Sequence, residues 1–257
     1  MTLAMGRLCY RGALLIADTH NYLSDGTTRK DYKILHFDGT NSAFAISDAS
    51  EDANAAKSLV STIGNLLAKN AEQRWETVEG IISAEMTSWH KAFRKYPTTH
   101  IVAAIMLKGV GVNLYFCQPP RTIIKADGYV AHGVGAWITD ILQELLFDSF
   151  SSDHPQAALR QMAYLVYRAN KENAFCRGID GFYLDIESGR LRHLNPTDMQ
   201  DAITASFQLD HVLKIAASST LGRGKHLENN AAAVRSLILQ CDKIRSVDFR
   251  DISGSLL

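Results

Sequence analysis

The apolar residues of this chain change their spacing in blocks, and the order of those blocks limits the fold more than any other feature. In the first block, "LAMGRLCY" turns at Arg11-Gly12 into "ALLIADT", and "KILHF" turns through Asp38-Gly39-Thr40 into "SAFAI". An Asp-Gly step between apolar runs is a hairpin cue, so four strands are expected first. Leu59, Val60, Ile63 and Leu67 then recur at helical spacing. Trp75, Val78, Ile82, Met86, Trp89 and Phe93 hold a second stripe over about five turns, which reads as core packing. Strands return after Pro97 in "HIVAAIMLKG", "VNLYFCQ", "TIIKAD" and "YVAHG". A further helical pair is carried by Ile138, Ile141, Leu142 and Leu145 and by Leu159, Met162, Leu165 and Val166; "GFYLDI" and "RLRHL" form a last hairpin.

Strand group, helix pair, strand group, helix pair, strand pair is not the alternating order that builds a parallel sheet. It predicts an α+β fold, a four-layer αββα sandwich, over residues 2–195. Residues 196–257 form a C-terminal extension, in which Phe207 to Ala217 and Leu227 to Ile244 read as amphipathic helices joined by a mobile loop, "SSTLGRGK".

The composition fits one large core: 257 residues, 46% hydrophobic and 21% charged. Lysine plus arginine and aspartate plus glutamate both number 27, so no net field points to nucleic acid or an anionic membrane. The first twenty residues lack the apolar core of a signal peptide, and no run reaches the roughly 20 residues needed to span a bilayer; a cytoplasmic location is expected. Cys9, Cys117, Cys176 and Cys241 are widely spaced, as suits buried, reduced thiols. The histidines show no metal-ligand spacing, so no cofactor is expected, and His20, His90 and His132 read as surface or satisfied polar residues.

Thr2 is the candidate for chemistry, beside its plainer reading as a small residue at the start of a strand. Aminopeptidases remove an initiator methionine ahead of a small residue, which would leave Thr2 with a free α-amine beside its own hydroxyl. A terminal amine with a pKa of about 7.7–8.0 can accept the hydroxyl proton, so one residue supplies nucleophile and base. A fixed cation nearby would lower the cost of the oxyanion. Lys33, at the start of the third strand, and Asp18, at the end of the second, are suited to supply that cation and to orient it. Each residue also has a plainer reading: Asp18 ends a strand, and Lys33 guards an edge.

The run from Thr2 through Gly12 to "IADT" and on to "YKI" resembles the proteasome-type N-terminal nucleophile hydrolases, proteasome β-subunits and their bacterial relatives. Within that group it is most similar to the betaproteobacterial proteasome homologue and the ancestral β-subunit type. The resemblance implies Thr2 as nucleophile, Asp18 as first-strand carboxylate and Lys33 as tuning lysine, with one residue deleted between Thr19 and Tyr32. It places the Asp48 amide as oxyanion donor. It sets Val134, within "GVG", where relatives have a serine, and Asn173 and Cys176 where they have an aspartate and a serine; Asn173 cannot supply a charge. Ile46 and Ser50 would fall near the substrate pocket. The implied activity is a threonine peptidase in a ring-shaped homo-oligomer of stacked or helical rings, acting on peptides or unfolded protein, with or without an ATP-dependent unfoldase. A catalytically weak ring scaffold and a small-amide amidohydrolase are the alternatives.

Overall fold

A computed structural model of the chain describes residues 3–22, 28–37, 40–48, 53–70, 74–93, 99–146, 154–172 and 178–221. Thr2, Ser50, Asn173, Cys176 and the stretch 227–244 lie outside them. In chain order the elements are β1 (Leu3–Cys9), β2 (Gly12–Ala17), β3 (His20–Tyr22), β4 (Thr28–Lys30), β5 (Ile34–Phe37) and β6 (Ser42–Asp48), then α1 (Ala53–Ala68) and α2 (Trp75–Ala92). There follow β7 (Thr99–Leu107), β8 (Gly111–Gln118), β9 (Thr122–Lys125), β10 (Tyr129–Gly133), α3 (Ala136–Leu146), α4 (Pro155–Glu172), β11 (Asp180–Asp185), β12 (Leu191–His193) and α5 (Pro196–Leu221). One five-stranded sheet has the order β10-β1-β2-β11-β12 and the other β5-β6-β7-β8-β9, while β3 and β4 pair apart. All pairings are antiparallel.

The alternation of side chains along the strands creates three apolar layers, and hence four layers of structure. Along β1, Leu3, Met5 and Cys9 join the cluster beneath α3, α4 and α5, whereas Ala4 faces the opposite sheet. Along β6, Phe44 and Ile46 face α1 and α2, whereas Ala43 and Ala45 face inward. The inward residues Ala4 and Gly6 of β1 and Ala43 and Ala45 of β6 are small, which lets the sheets approach closely there. A Cβ added at Gly6 would lie 2.9 Å from Val102 Cγ1 and 3.0 Å from Leu114 Cδ2. The Trp75 to Phe93 stripe is core as expected: Trp75 stacks on Tyr115 at 4.2 Å, and Trp89 Nε1 donates to the Ala55 carbonyl at 3.1 Å.

The αββα sandwich read from the sequence of periods is therefore the observed architecture. Two local readings change. Residues between Thr19 and Tyr32, expected as a surface turn, contain the β3–β4 hairpin, whose polar strands carry no apolar alternation to reveal them. The expected helix over 207–217 is part of a longer one that starts at Pro196, where Asn195 Oδ1 caps the Asp198 amide at 2.8 Å, and it continues through 218–221, where a loop was expected. Among the described residues no helix is long and apolar enough to cross a membrane.

A buried carboxylate holds α5 to α4. Asp210 accepts from Arg168 at 2.7 Å, Lys214 at 2.9 Å and Lys171 at 3.1 Å. The Lys214 hydrogen bond is the largest influence that takes its pKa down to about 2. Because the folded value lies below the ordinary 3.8, its stabilisation is complete above about pH 4 and is lost as pH falls through 2. Asp210→Ala should cost about 2 kcal/mol and loosen α5, read as faster hydrogen exchange in α5 than in the sheets. Equal protection of α5 in the variant and the unaltered chain would remove Asp210 from this role.

Candidate active site

β1 lies between β10 and β2, and its first residues define one end of the sandwich: Leu3 faces Gly133, and Ala4 faces His132 on one side and Ala17 on the other. Directly after β2, Asp18 Oδ1 accepts a hydrogen bond from the Leu3 amide at 2.6 Å, and the Asp18 amide donates to the Leu3 carbonyl at 3.1 Å. Directly before β5, in the other sheet, Lys33 Nζ donates to Asp18 Oδ2 at 2.8 Å and to the His20 carbonyl at 2.7 Å. Asp18 is 0% and Lys33 3% exposed, so the pair is a buried bridge between the sheets.

The β3–β4 hairpin explains the meeting. The chain leaves the sandwich after Asp18 and returns by Lys33, and the Asp31 amide closes the base on the Thr19 carbonyl at 2.7 Å. Lys57, on α1, pairs with Asp31 and fastens that return. Burial pushes the Asp18 carboxyl above its ordinary range, and the Lys33 charge, its hydrogen bond and the Leu3 amide pull it part of the way back. Desolvated charges are tolerable only when paired and hydrogen-bonded, and both conditions are met.

Asp48 ends β6, two residues beyond the pairing of Ile46 with Lys33. The Ile46 amide donates to the Lys33 carbonyl at 2.9 Å, so amides 46 and 48 point to the β5 edge of β6 while that of Ser47 points to β7. β5 begins only at Ile34, and the amide of Asp48 is aimed past its end, on the side of Lys33. An amide so placed can donate to an oxyanion.

Other expected residues fall differently. Ile46, expected near a substrate pocket, is 4% exposed in the cluster beneath α1; parity along β6 instead turns Ala45 and Ser47 inward. Val134 packs against the helix-side cluster and contributes an apolar surface there. His132, read as a surface or satisfied residue, is half-buried, lies against the His100 ring at 3.8 Å between centroids and 32° between planes, and has a buried Nδ1 without a hydrogen-bond partner among the described residues. Thr2, Asn173 and Cys176 lie outside the described residues. The bonds of the Leu3 amide to Asp18 and of Lys33 to the His20 carbonyl carry no signal in the sequence. Among the described residues no group of three or more His, Cys, Asp or Glu side chains converges as metal ligands do.

The two facing antiparallel sheets with paired helices outside form a proteasome-like N-terminal nucleophile (Ntn) fold. Among the solved structures that share it are two of Anbu. A mutant of Anbu from Hyphomicrobium sp. strain MC1 superposes with a TM-score of 0.67 at 16% identity, over 85% of this chain and 97% of that one. Anbu from the same strain gives a TM-score of 0.64 at 15% identity, over 84% of this chain and 97% of that one. No family model matches the chain, and no curated protein does. That corrects the resemblance drawn from the short motifs: the likeness to the proteasome-type family holds at the level of the fold, and the sequence itself does not place the chain with the betaproteobacterial or the ancestral β-subunit proteins.

Proposed function

We propose that this chain is an N-terminal threonine peptidase that assembles into a ring. The observation that carries the reading is the buried Lys33–Asp18 bridge bonded to the amide of Leu3, the residue next to Thr2. Removal of Met1 exposes the Thr2 amine, which takes the proton of the Thr2 hydroxyl as its oxygen attacks a peptide carbonyl. Lys33 stabilises the negative charge that develops, Asp18 holds Lys33, and the Asp48 amide donates to the carbonyl oxygen. The amine returns the proton to the departing peptide amine, leaving an ester on Thr2. Water, deprotonated by the same amine, then cleaves the ester.

Residues 2–195 act as the catalytic domain, with 196–257 as an extension that begins with α5 against α4. A homo-oligomeric ring, which would enclose the sites and admit unfolded peptide with or without an unfoldase, is part of this reading, as is a cytoplasmic location. A ring scaffold without chemistry is the second reading. It draws on Val134, whose apolar side chain leaves no hydroxyl at that turn.

Intact-mass measurement on the assembled protein decides between them. The expected result is a chain lacking Met1 that gains one adduct with a threonine-directed electrophile, with no adduct in Thr2→Ala. Fluorogenic peptides should turn over. Retention of Met1 with no adduct supports the scaffold, and turnover of small amides alone supports an amidohydrolase.

A further inference from the structure

We propose that His100 and His132 form an acid-sensitive latch between the two sheets beside the start of β1. His100 stands on β7 opposite Ser47, and His132 on β10 opposite Ala4, so the pair joins the sheets at the end that holds Asp18 and Lys33. The ring centroids are 3.8 Å apart with 32° between planes, and Phe116 of β8 flanks His132 at 4.9 Å and His100 at 5.7 Å. Both imidazoles are half-buried, and Nδ1 of His132 is buried with no hydrogen-bond partner among the described residues.

Neutral rings can stack in this gap. One proton puts a cation there with no counter-charge, and two put like charges a ring's thickness apart. The surrounding inward faces are apolar or neutral: Ala45 and Ser47 from β6, Ala4 and Gly6 from β1, Val102 from β7, Leu114 and Phe116 from β8, and Val130 from β10. The titratable groups nearest on these strands, Cys117 and Tyr129, face the helices. The charged groups at this end of the sandwich, Asp18 and Lys33, are bonded to each other.

Burial takes His100 down to about 4, with His132 adding to the shift, and burial lowers His132 as well. The unfolded chain, with histidines near 6.5, therefore binds more protons between those values. The latch is fully closed above about pH 6.5 and weakens as pH falls toward 4. Its release would free β10 from β7, and with it Gly133, the partner of Leu3. None of this depends on the peptidase reading.

The test is a ring titration by NMR of carbon-13 labelled histidine, with thermal unfolding from pH 8 to pH 4. Two of the nine histidines should titrate well below 6.5. The unfolding midpoint of the unaltered chain should fall by about 5 °C more than that of His132→Phe, which keeps the stack and removes one proton site. Titration of all rings near 6.5, or coincident acid limbs for the two proteins, overturns the latch. Should His132→Phe not fold, the ring titration of the unaltered chain decides alone.

Discussion

Asp18→Ala is expected to lower the unfolding free energy by about 3–5 kcal/mol, because it leaves the Lys33 ammonium buried without its carboxylate. The Leu3 amide loses its acceptor in the same step. The pair as a whole stabilises far less than either half destabilises when alone, since its attraction offsets a desolvation cost of similar size. Asp18→Leu with Lys33→Met should therefore return to within about 1.5 kcal/mol of the unaltered chain in urea unfolding. The same double variant should lose electrophile labelling of Thr2 by about 100-fold or more, as expected when a fixed charge at a developing oxyanion is removed. Stability recovered without reactivity assigns the pair to chemistry. A double variant that labels at the normal rate removes Lys33 from the mechanism and leaves it a structural bridge.

Gly12→Ala should cost about 3 kcal/mol, at the upper end of what an added methyl group does in a packed interior. A Cβ there would lie 2.2 Å from the Leu184 carbonyl oxygen and 2.6 Å from Cε2 of Tyr183. The ring could move, but the carbonyl belongs to the backbone of β11, paired along the whole of β2. Relief requires β2 and β11 to part. That strand pair also positions Ala17, the residue before Asp18, so the variant should label more slowly as well as unfold earlier. Adding Tyr183→Ala to Gly12→Ala should recover little stability; full recovery would show that the aromatic ring, and not the carbonyl, is the obstacle.

Much of the fold was legible because alternation and helical spacing are local signals. β1, β2, β6 and the α2 stripe all follow the apolar periods of their own residues. Asp18 and Lys33 were legible as charged residues at strand ends, but their meeting across the two sheets is made by the β3–β4 hairpin between them. The β3–β4 hairpin escaped because its six residues are polar or aromatic without a period, and it is held by its base, the Asp31 amide on the Thr19 carbonyl. Ile46 lies on the helix face of β6, because alternate residues of a strand face opposite sides. α5 outran its apolar pattern because a cap at Asn195 and three cations on Asp210 hold it.

The sequence by itself determined the order of the main strands and helices and the four-layer architecture that this order permits, and it named Thr2, Lys33 and Asp18 as candidates for nucleophile, cation and carboxylate. Only the tertiary structure decided that Asp18 holds the Leu3 amide and Lys33 together, that the Asp48 amide looks past the end of β5, and that two histidines far apart in the chain stack between the sheets. Side-chain periods report which face of an element is apolar. Contacts across sheets depend on register and on the distance between packed layers, and these are set by the whole core at once.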